Sequence, residues 1–305
     1  MPEVSVIIPN FNHAQYLKRR IDSVINQTFT DFEVIILDDC STDNSAEIIN
    51  SYVNHHAISH VVINKENTGS PFKQWKKGFE LSKGKYIWIA ESDDWCELNL
   101  LEILMKPLMF DKSVVLAFCQ TKVMSEKGEI IYKTTMPFYD KTITGRDFIA
   151  GYMFGDPVLI NSGMVVFRKD ALNNIDSEFV NFKSAGDWMF WNSVAIQGNV
   201  FISGAYLNYF SRYKTTISSR AEVSGIDMKE GCMMFKWVKE NTSPTIDEIN
   251  NAVKQRMNLY LIQKNKFGNS QIRKEALNDL SEIIPGVKRY LISTQLKRIL
   301  KKLIQ

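Results

Sequence analysis

Tyr86-Ile87-Trp88-Ile89-Ala90-Glu91-Ser92-Asp93-Asp94-Trp95 is an apolar run that ends abruptly in three acids. Five apolar or β-favouring residues without Gly or Pro predict a strand buried on both faces. Glu91, Asp93 and Asp94 then fall where that strand leaves its sheet, and open α/β sheets bind ligands beyond the carboxyl ends of their strands. Carboxylates so close together repel one another, so the cluster suits a hard divalent cation or polar ligand groups. The same residues also read as an acidic turn in which Asp93 or Asp94 caps a helix from Trp95 to Met109.

Upstream, strand and helix patterns alternate. Val4 to Ile8 is a β-branched run stopped by Pro9 and followed by the turn-prone Asn10-Phe11-Asn12. Ala14 to Gln27 reads as a helix with Leu17, Ile21, Val24 and Ile25 on one face. Phe32 to Leu37 is a second strand ending in Asp38-Asp39, and the polar cluster Cys40 to Ser45 caps a helix from Ala46 to Val53. A strand from His60 to Ile63 leads to the turn Asn67-Thr68-Gly69-Ser70, and a helix through Trp75 to Leu81 returns to Tyr86. This alternation predicts an α/β fold, a mostly parallel sheet flanked by helices and wound by right-handed crossovers.

Downstream the alternation loosens. Val114 to Cys119, Glu129 to Tyr132 and Gly163 to Phe167 read as strands, and Thr144 to Phe154 as a helix. Another helix begins at Gly186-Asp187-Trp188 and runs toward Gly198. From about residue 220 strand patterns fade, and Ile246 to Lys264 and Gln271 to Ile284 read as helices. Residues 1–220 are therefore expected to form the α/β domain and 221–305 a helical C-terminal extension.

Composition narrows the function classes. With 305 residues, 45% hydrophobic and 23% charged, the chain is long enough to bury a sizeable core. No apolar run approaches the roughly 18 residues of a membrane span, and no secretory signal precedes the first strand, so a cytoplasmic protein is expected. Cys40, Cys96, Cys119 and Cys232 show no metal-ligand spacing and read as reduced thiols. The net charge of +3 is unevenly spread: 15 basic against 9 acidic residues in 221–305 leave 1–220 at −3. A mildly acidic main domain without a basic stripe argues against nucleic acid as a partner. The GxGxxG fingerprint is also missing after the first strand, which disfavours an NAD-dependent oxidoreductase.

Together, the Pro9 turn, Leu37-Asp38-Asp39-Cys40-Ser41-Thr42-Asp43, Asn67-Thr68-Gly69, the Glu91-to-Asp94 cluster and Gly186-Asp187-Trp188 occur in an order that resembles the family 2 glycosyltransferases. These are inverting enzymes of the GT-A fold that use nucleotide-diphosphate sugars, and the resemblance is to the type that builds bacterial surface polysaccharides. The resemblance implies that Pro9, Asn10, Asn12, Asp38, Asp39, Asn67 and Asp93 bind the donor nucleotide. It implies that Asp93 and Asp94 form the DxD-type motif holding a divalent metal, Mg or Mn, with Glu91 where relatives often have an Asp. Asp187 matches the catalytic base, although relatives often write Glu-Asp where this chain has Gly186-Asp187. Relatives also commonly place an Arg and a His where Ser211 and Tyr213 stand, which leaves Arg212 or Lys214 as alternatives for the diphosphate.

The implied function is a metal-dependent transferase moving a sugar, from a UDP-sugar by preference, to a glycan or lipid-linked acceptor. A sugar-nucleotide- or glycan-binding subunit without catalysis is the alternative. His56 and His60 have the spacing of one helical face, but no third ligand lies nearby. In the tail, Leu296, Ile299, Leu300, Leu303 and Ile304 form an apolar stripe beside Lys297, Arg298, Lys301 and Lys302. That pattern suits either a helix on an anionic membrane surface or one packed on the main domain.

Overall fold

The computed structural model describes residues 1–136, 140–213 and 217–287, the side chains of 217–219 apart. It divides into two compact units. Among the described residues the first comprises those of 1–148, 158–181 and 186–213, and the second those of 149–157, 182–185 and 217–287.

The first unit is built on one mixed sheet. In chain order its strands are β1 (Val4–Asn10), β2 (Phe32–Asp38), β3 (Ile58–Ile63), β4 (Tyr86–Ile89), β5 (Trp95–Cys96), β6 (Val114–Met124), β7 (Ile130–Lys133), β8 (Lys141–Thr144), β9 (Val165–Arg168) and β10 (Asn199–Ser211). Their order across the sheet is β3-β2-β1-β4-β9-β6-β10-β5, with β7 pairing β6 and β8 pairing β10. The four strands β1 to β4 run parallel, β9 is antiparallel to both of its neighbours, and β10 runs parallel to β6. Its helices are α1 (Ala14–Ile25), α2 (Ser45–Asn50), α3 (Pro71–Leu81), α4 (Leu100–Phe110), the single turn α5 (Gly145–Phe148) and α6 (Gly186–Ala195).

The continuous apolar runs exist because the central strands are covered on both faces. Val6, Ile7, Ile8, Val34 to Leu37 and Ile87 to Ile89 have no exposed surface. Burying each such side chain contributes about 1.5–3 kcal/mol. Pairing of Asn10 with Asp38 and of Ile7 with Ile89 brings the ends of β1, β2 and β4 side by side. The polar tips that follow these strands therefore share one edge.

Some elements differ from the sequence reading. Trp95 and Cys96 do not open a helix: they pair with Tyr209 and Asn208 of β10, and α4 starts only at Leu100 after Asn99. Asp93 and Asp94 are thus not helix caps. The helix expected through Phe154 stops at Phe148 and continues as a π turn, Ile149–Met153. Ser162–Met164 is a 3₁₀ turn, so the strand begins at Val165. His60 lies in β3, which removes the shared helical face with His56. The longest strand, β10, carries no clean alternation and was not expected.

In the second unit, α7 (Ile217–Ser224), α8 (Ile226–Thr242), α9 (Ile246–Gln263) and α10 (Ser270–Ile283) pack around Met228, Phe235, Val238, Met257 and Leu280. Thr245 and Glu248 form a reciprocal capping box at the start of α9. The side chain of Asn269 caps α10. Arg256 is buried beside Met228, and its Nη2 donates to the Met228 carbonyl at 3.1 Å. No described helix is long and apolar enough to cross a membrane. The basic stripe at 295–305 lies outside the described residues.

Candidate functional site

The first half of the candidate site is the pair of turns at the tips of β1 and β2. Pro9 and Asn10 end β1. Asn10 Nδ2 donates to Asp38 Oδ1 at 2.7 Å, and the Ser41 hydroxyl and amide reach the same carboxylate at 2.6 and 2.9 Å. Asp38 is 1% exposed, so its charge is held inside this turn. Asn12, exposed and left-handed with φ 56°, accepts from the Thr42 amide at 2.8 Å through Oδ1.

Asp39 is equally occupied. Its Oδ1 accepts from Asn64, Gln74 and the Thr68 amide at 2.7, 2.7 and 3.0 Å, and its Oδ2 from the Thr68 hydroxyl at 2.8 Å. Asn67 Nδ2 donates to the Asp39 carbonyl at 2.9 Å. A carboxylate has about four acceptor positions, so Asp39 acts first as the anchor of the turn after β3. Asn67 itself is exposed at the rim.

Beyond β4 the three acids have three different environments. Glu91 Oε1 accepts from Trp75 Nε1 and from the Ser162 hydroxyl, both at 3.0 Å. Burial, and secondarily the charge of Asp93, push its carboxyl up to about 7. Asp94 is 1% exposed and accepts from Asn161 Nδ2 at 2.7 Å and from the Ser211 amide at 2.8 Å. Burial and Asp93 raise its pKa well above the ordinary carboxylate range. Asp93 is half-buried: Tyr213 Oη donates to its Oδ2, the Ser211 hydroxyl donates to its carbonyl, and among the described residues nothing donates to its Oδ1.

Residues that the sequence reading did not single out build the support. Arg20 is fully buried and donates through Nε to the Glu91 carbonyl at 2.8 Å. Asn208 on β10 donates to Asn161 Oδ1 at 3.0 Å, extending the contact that holds Asp94. Gly163 leaves room for this network, because a Cβ there would lie 2.9 Å from Asn208 Oδ1 and 3.2 Å from Arg20 Nη2. Arg20 had a sequence signal: it falls on the buried helix stripe with Leu17, Ile21 and Val24. Asn161 and Asn208 had none.

Asp187 lies half-buried in the first turn of α6 and accepts from the Trp188 amide at 2.7 Å. A Cβ at Gly186 would come within 2.5 Å of the Phe72 ring and 2.6 Å of the Phe179 carbonyl, so this position cannot carry the Glu common in relatives. Phe72 meets Trp75 edge-on, and Trp75 in turn packs on Phe190 and Trp191 of α6. The indole that binds Glu91 therefore also packs against the helix that carries Asp187 in its first turn. Arg212 is exposed, and Lys214 lies outside the described residues.

Residues 5–175 match the model of the Glycosyl transferase family 2. Over 132 residues the chain is 34% identical to the chondroitin synthase of Pasteurella multocida, an alignment covering 43% of this chain and 13% of that protein. The chain therefore spans a small part of that relative's length. A crystal structure of S. aureus TarS 1-349 in complex with UDP-GlcNAc superposes with a TM-score of 0.66 at 20% identity, covering 95% of this chain and 84% of that one. The mannosyltransferase PcManGT from Pyrobaculum calidifontis, in complex with GDP-Man and Mn2+, gives 0.59 at 14% identity, covering 98% and 81%. The fold is of the GT-A type, and the chain belongs to glycosyl transferase family 2.

Proposed function

We propose that the chain is a metal-dependent inverting glycosyltransferase. It would move a sugar from a nucleotide-diphosphate sugar, by preference a UDP-sugar, to a hydroxyl of a glycan or lipid-linked glycan in surface polysaccharide synthesis. The observation that carries this reading is the half-buried Asp93, held on one carboxylate oxygen and unengaged on the other, beside the ends of β1, β2 and β4. Among the described residues no three His, Cys, Asp or Glu side chains gather into a metal cage. A single hard carboxylate with one free oxygen would suit a magnesium or manganese ion that arrives with the donor's diphosphate. When bound, such an ion offsets the negative charge that develops on the departing diphosphate.

The chain's own residues take the other parts. Asp93 would hold the ion, and the buried Asp94 ties the same tip to Asn161 and to the Ser211 amide. Asp38 and Asp39 shape the nucleotide crevice by fixing the turns at Ser41 and Thr68, while Pro9 and Asn10 close its floor and Asn12 and Asn67 meet the nucleotide at the rim. Asp187 takes the proton of the acceptor hydroxyl as the new bond forms at the anomeric carbon and the bond to the diphosphate breaks.

The test is transfer or hydrolysis of a panel of UDP- and GDP-sugars with Mn2+, for wild type and Asp187→Asn. The variant should lose about 10²–10⁴-fold in rate while binding donor as before. A wild type inert on every donor would overturn the enzyme reading in favour of a binding subunit, and equal turnover of both proteins would move the base elsewhere.

The basic, acid-free stretch after Gly286 supports a further part of the reading, in which the enzyme works in the cytoplasm against an anionic membrane face. Co-sedimentation with anionic vesicles at low and high salt tests it, comparing the full chain with one ending at Ser293. Equal sedimentation of the two would remove the membrane role.

A further inference from the structure

We propose that Tyr213 is a positioning residue for the cation-binding carboxylate, fixing Asp93 in the orientation in which Oδ1 faces its ligand. This rests on the reading of Asp93 as the metal-binding acid. A carboxylate on a half-exposed tip rotates freely, and a cation that needs one particular orientation must offset the lost freedom. Donors that lock a ligand before the metal arrives remove that cost, and their loss typically weakens metal binding 10–100-fold.

The grip on Asp93 comes from two parts of the chain that are far apart in sequence. Tyr213 Oη donates to Asp93 Oδ2 at 2.5 Å, across 120 residues of chain. Ser211, two residues earlier, holds the backbone of the same tip: its hydroxyl donates to the Asp93 carbonyl at 2.7 Å and its amide to Asp94 Oδ1 at 2.8 Å. The Tyr213 ring lies flat on Tyr16, with centroids 5.4 Å apart and planes 9° from parallel. Tyr16 belongs to the first turns of α1, and His13, just before that helix, is 2.9 Å from the Ser92 hydroxyl through Nδ1. The end of β10 and the start of α1 thus converge on Ser92-Asp93-Asp94. The stack fixes the phenol ring, and the ring fixes one carboxylate oxygen.

This arrangement gives Tyr213 a signature that loss of packing alone would not. UDP and, in parallel, GDP are titrated with saturating Mn2+ and with EDTA, binding being followed by tryptophan fluorescence. The readout is the ratio by which Mn2+ strengthens nucleotide binding. In wild type Mn2+ should tighten binding, and Asp93→Ala should abolish the effect. Tyr213→Phe keeps the ring stack and removes only the hydroxyl. It should cut the Mn2+ enhancement about tenfold or more while leaving affinity in EDTA unchanged. Full enhancement in Tyr213→Phe, with none in Asp93→Ala, overturns the role of Tyr213 and leaves the cation site standing. Equal losses with Mn2+ and with EDTA overturn it in favour of simple packing. No enhancement in wild type with either nucleotide overturns the cation reading and the positioning role with it.

Discussion

The indole N–H of Trp75 donates to Glu91 Oε1 at 3.0 Å, and the same ring packs on Phe190 and Trp191. One side chain of α3 therefore touches both the acid tip after β4 and the helix that carries Asp187 in its first turn. The aromatic cluster around it fixes these two pieces of the proposed site within a single rigid core, since protein interiors are close-packed and yield little. Gly186 belongs to the same arrangement, because Phe72 and the Phe179 carbonyl fill the space its side chain would need.

The two neighbouring acids should separate by experiment. Asp94→Ala leaves Asn161 Nδ2 and the Ser211 amide without their acceptor in a buried site, at about 1–3 kcal/mol for each orphaned group. Its melting temperature should fall clearly, without metal as well as with it. Asp93→Ala removes a half-exposed carboxylate and should melt close to wild type while losing metal-dependent nucleotide binding. Thermal melts in EDTA and in Mn2+ give both answers.

Gly163→Ala should destabilise the protein by about 1–3 kcal/mol, measured by urea unfolding. Its new methyl group would lie 2.9 Å from Asn208 Oδ1, 3.2 Å from Arg20 Nη2 and 3.3 Å from Asn161 Nδ2. Asn208 would have to shift first, and with it the hydrogen bond by which it holds Asn161, the donor to Asp94. A variant as stable as wild type would mean that this network repacks freely.

Glu230 on α8 accepts from three successive backbone amides, Lys183, Ser184 and Ala185, at 2.9, 2.8 and 2.8 Å, and it is 6% exposed. Glu230→Ala would strip the acceptor from all three. The loss should be about 3 kcal/mol or more, and proteolysis should reach the 182–185 segment faster than in wild type. Asp187 follows two residues after Ala185 in the chain, so turnover should fall too.

Asp227 supplies the pH dependence. Burial raises its carboxyl above the ordinary range, although a hydrogen bond from Gln263 and the charge of Arg256 pull it back. The folded chain thus holds this proton more tightly than the unfolded chain. Stability from this group is fully present below the unfolded Asp value and is lost as pH rises through the folded one. Asp227→Asn should therefore be more stable relative to wild type at neutral pH than in acid. Melting curves across that range check the sign, and a gap that widens on acidification would contradict it.

The sequence by itself determined the α/β architecture and the shared edge of polar strand tips where the proposed site lies. Val4 to Ile8, Phe32 to Leu37 and Tyr86 to Ile89 are legible because a strand covered on both faces must be apolar at every position, and because polar residues follow each run at once. The Asp93-Asp94 pair stood out for the same local reason, an abrupt change of chemistry at the end of a strand, whereas Asp187 was marked by the family resemblance of Gly186-Asp187-Trp188. Only the tertiary structure decided what each acid does. Asp94 is distinguished from Asp93 by Asn161 and Ser211, which lie 67 and 117 residues away in the chain. Trp95 and Cys96 are extended only because β10 pairs with them. β10 itself mixes buried and half-buried positions, and its register with β6 slips between Ile202 and Tyr206 and again before Asn208, so no local period marks it. Burial and hydrogen bonding of a single side chain are set by whatever the fold carries beside it, and such long-range neighbours leave no pattern in the residues next to it in sequence.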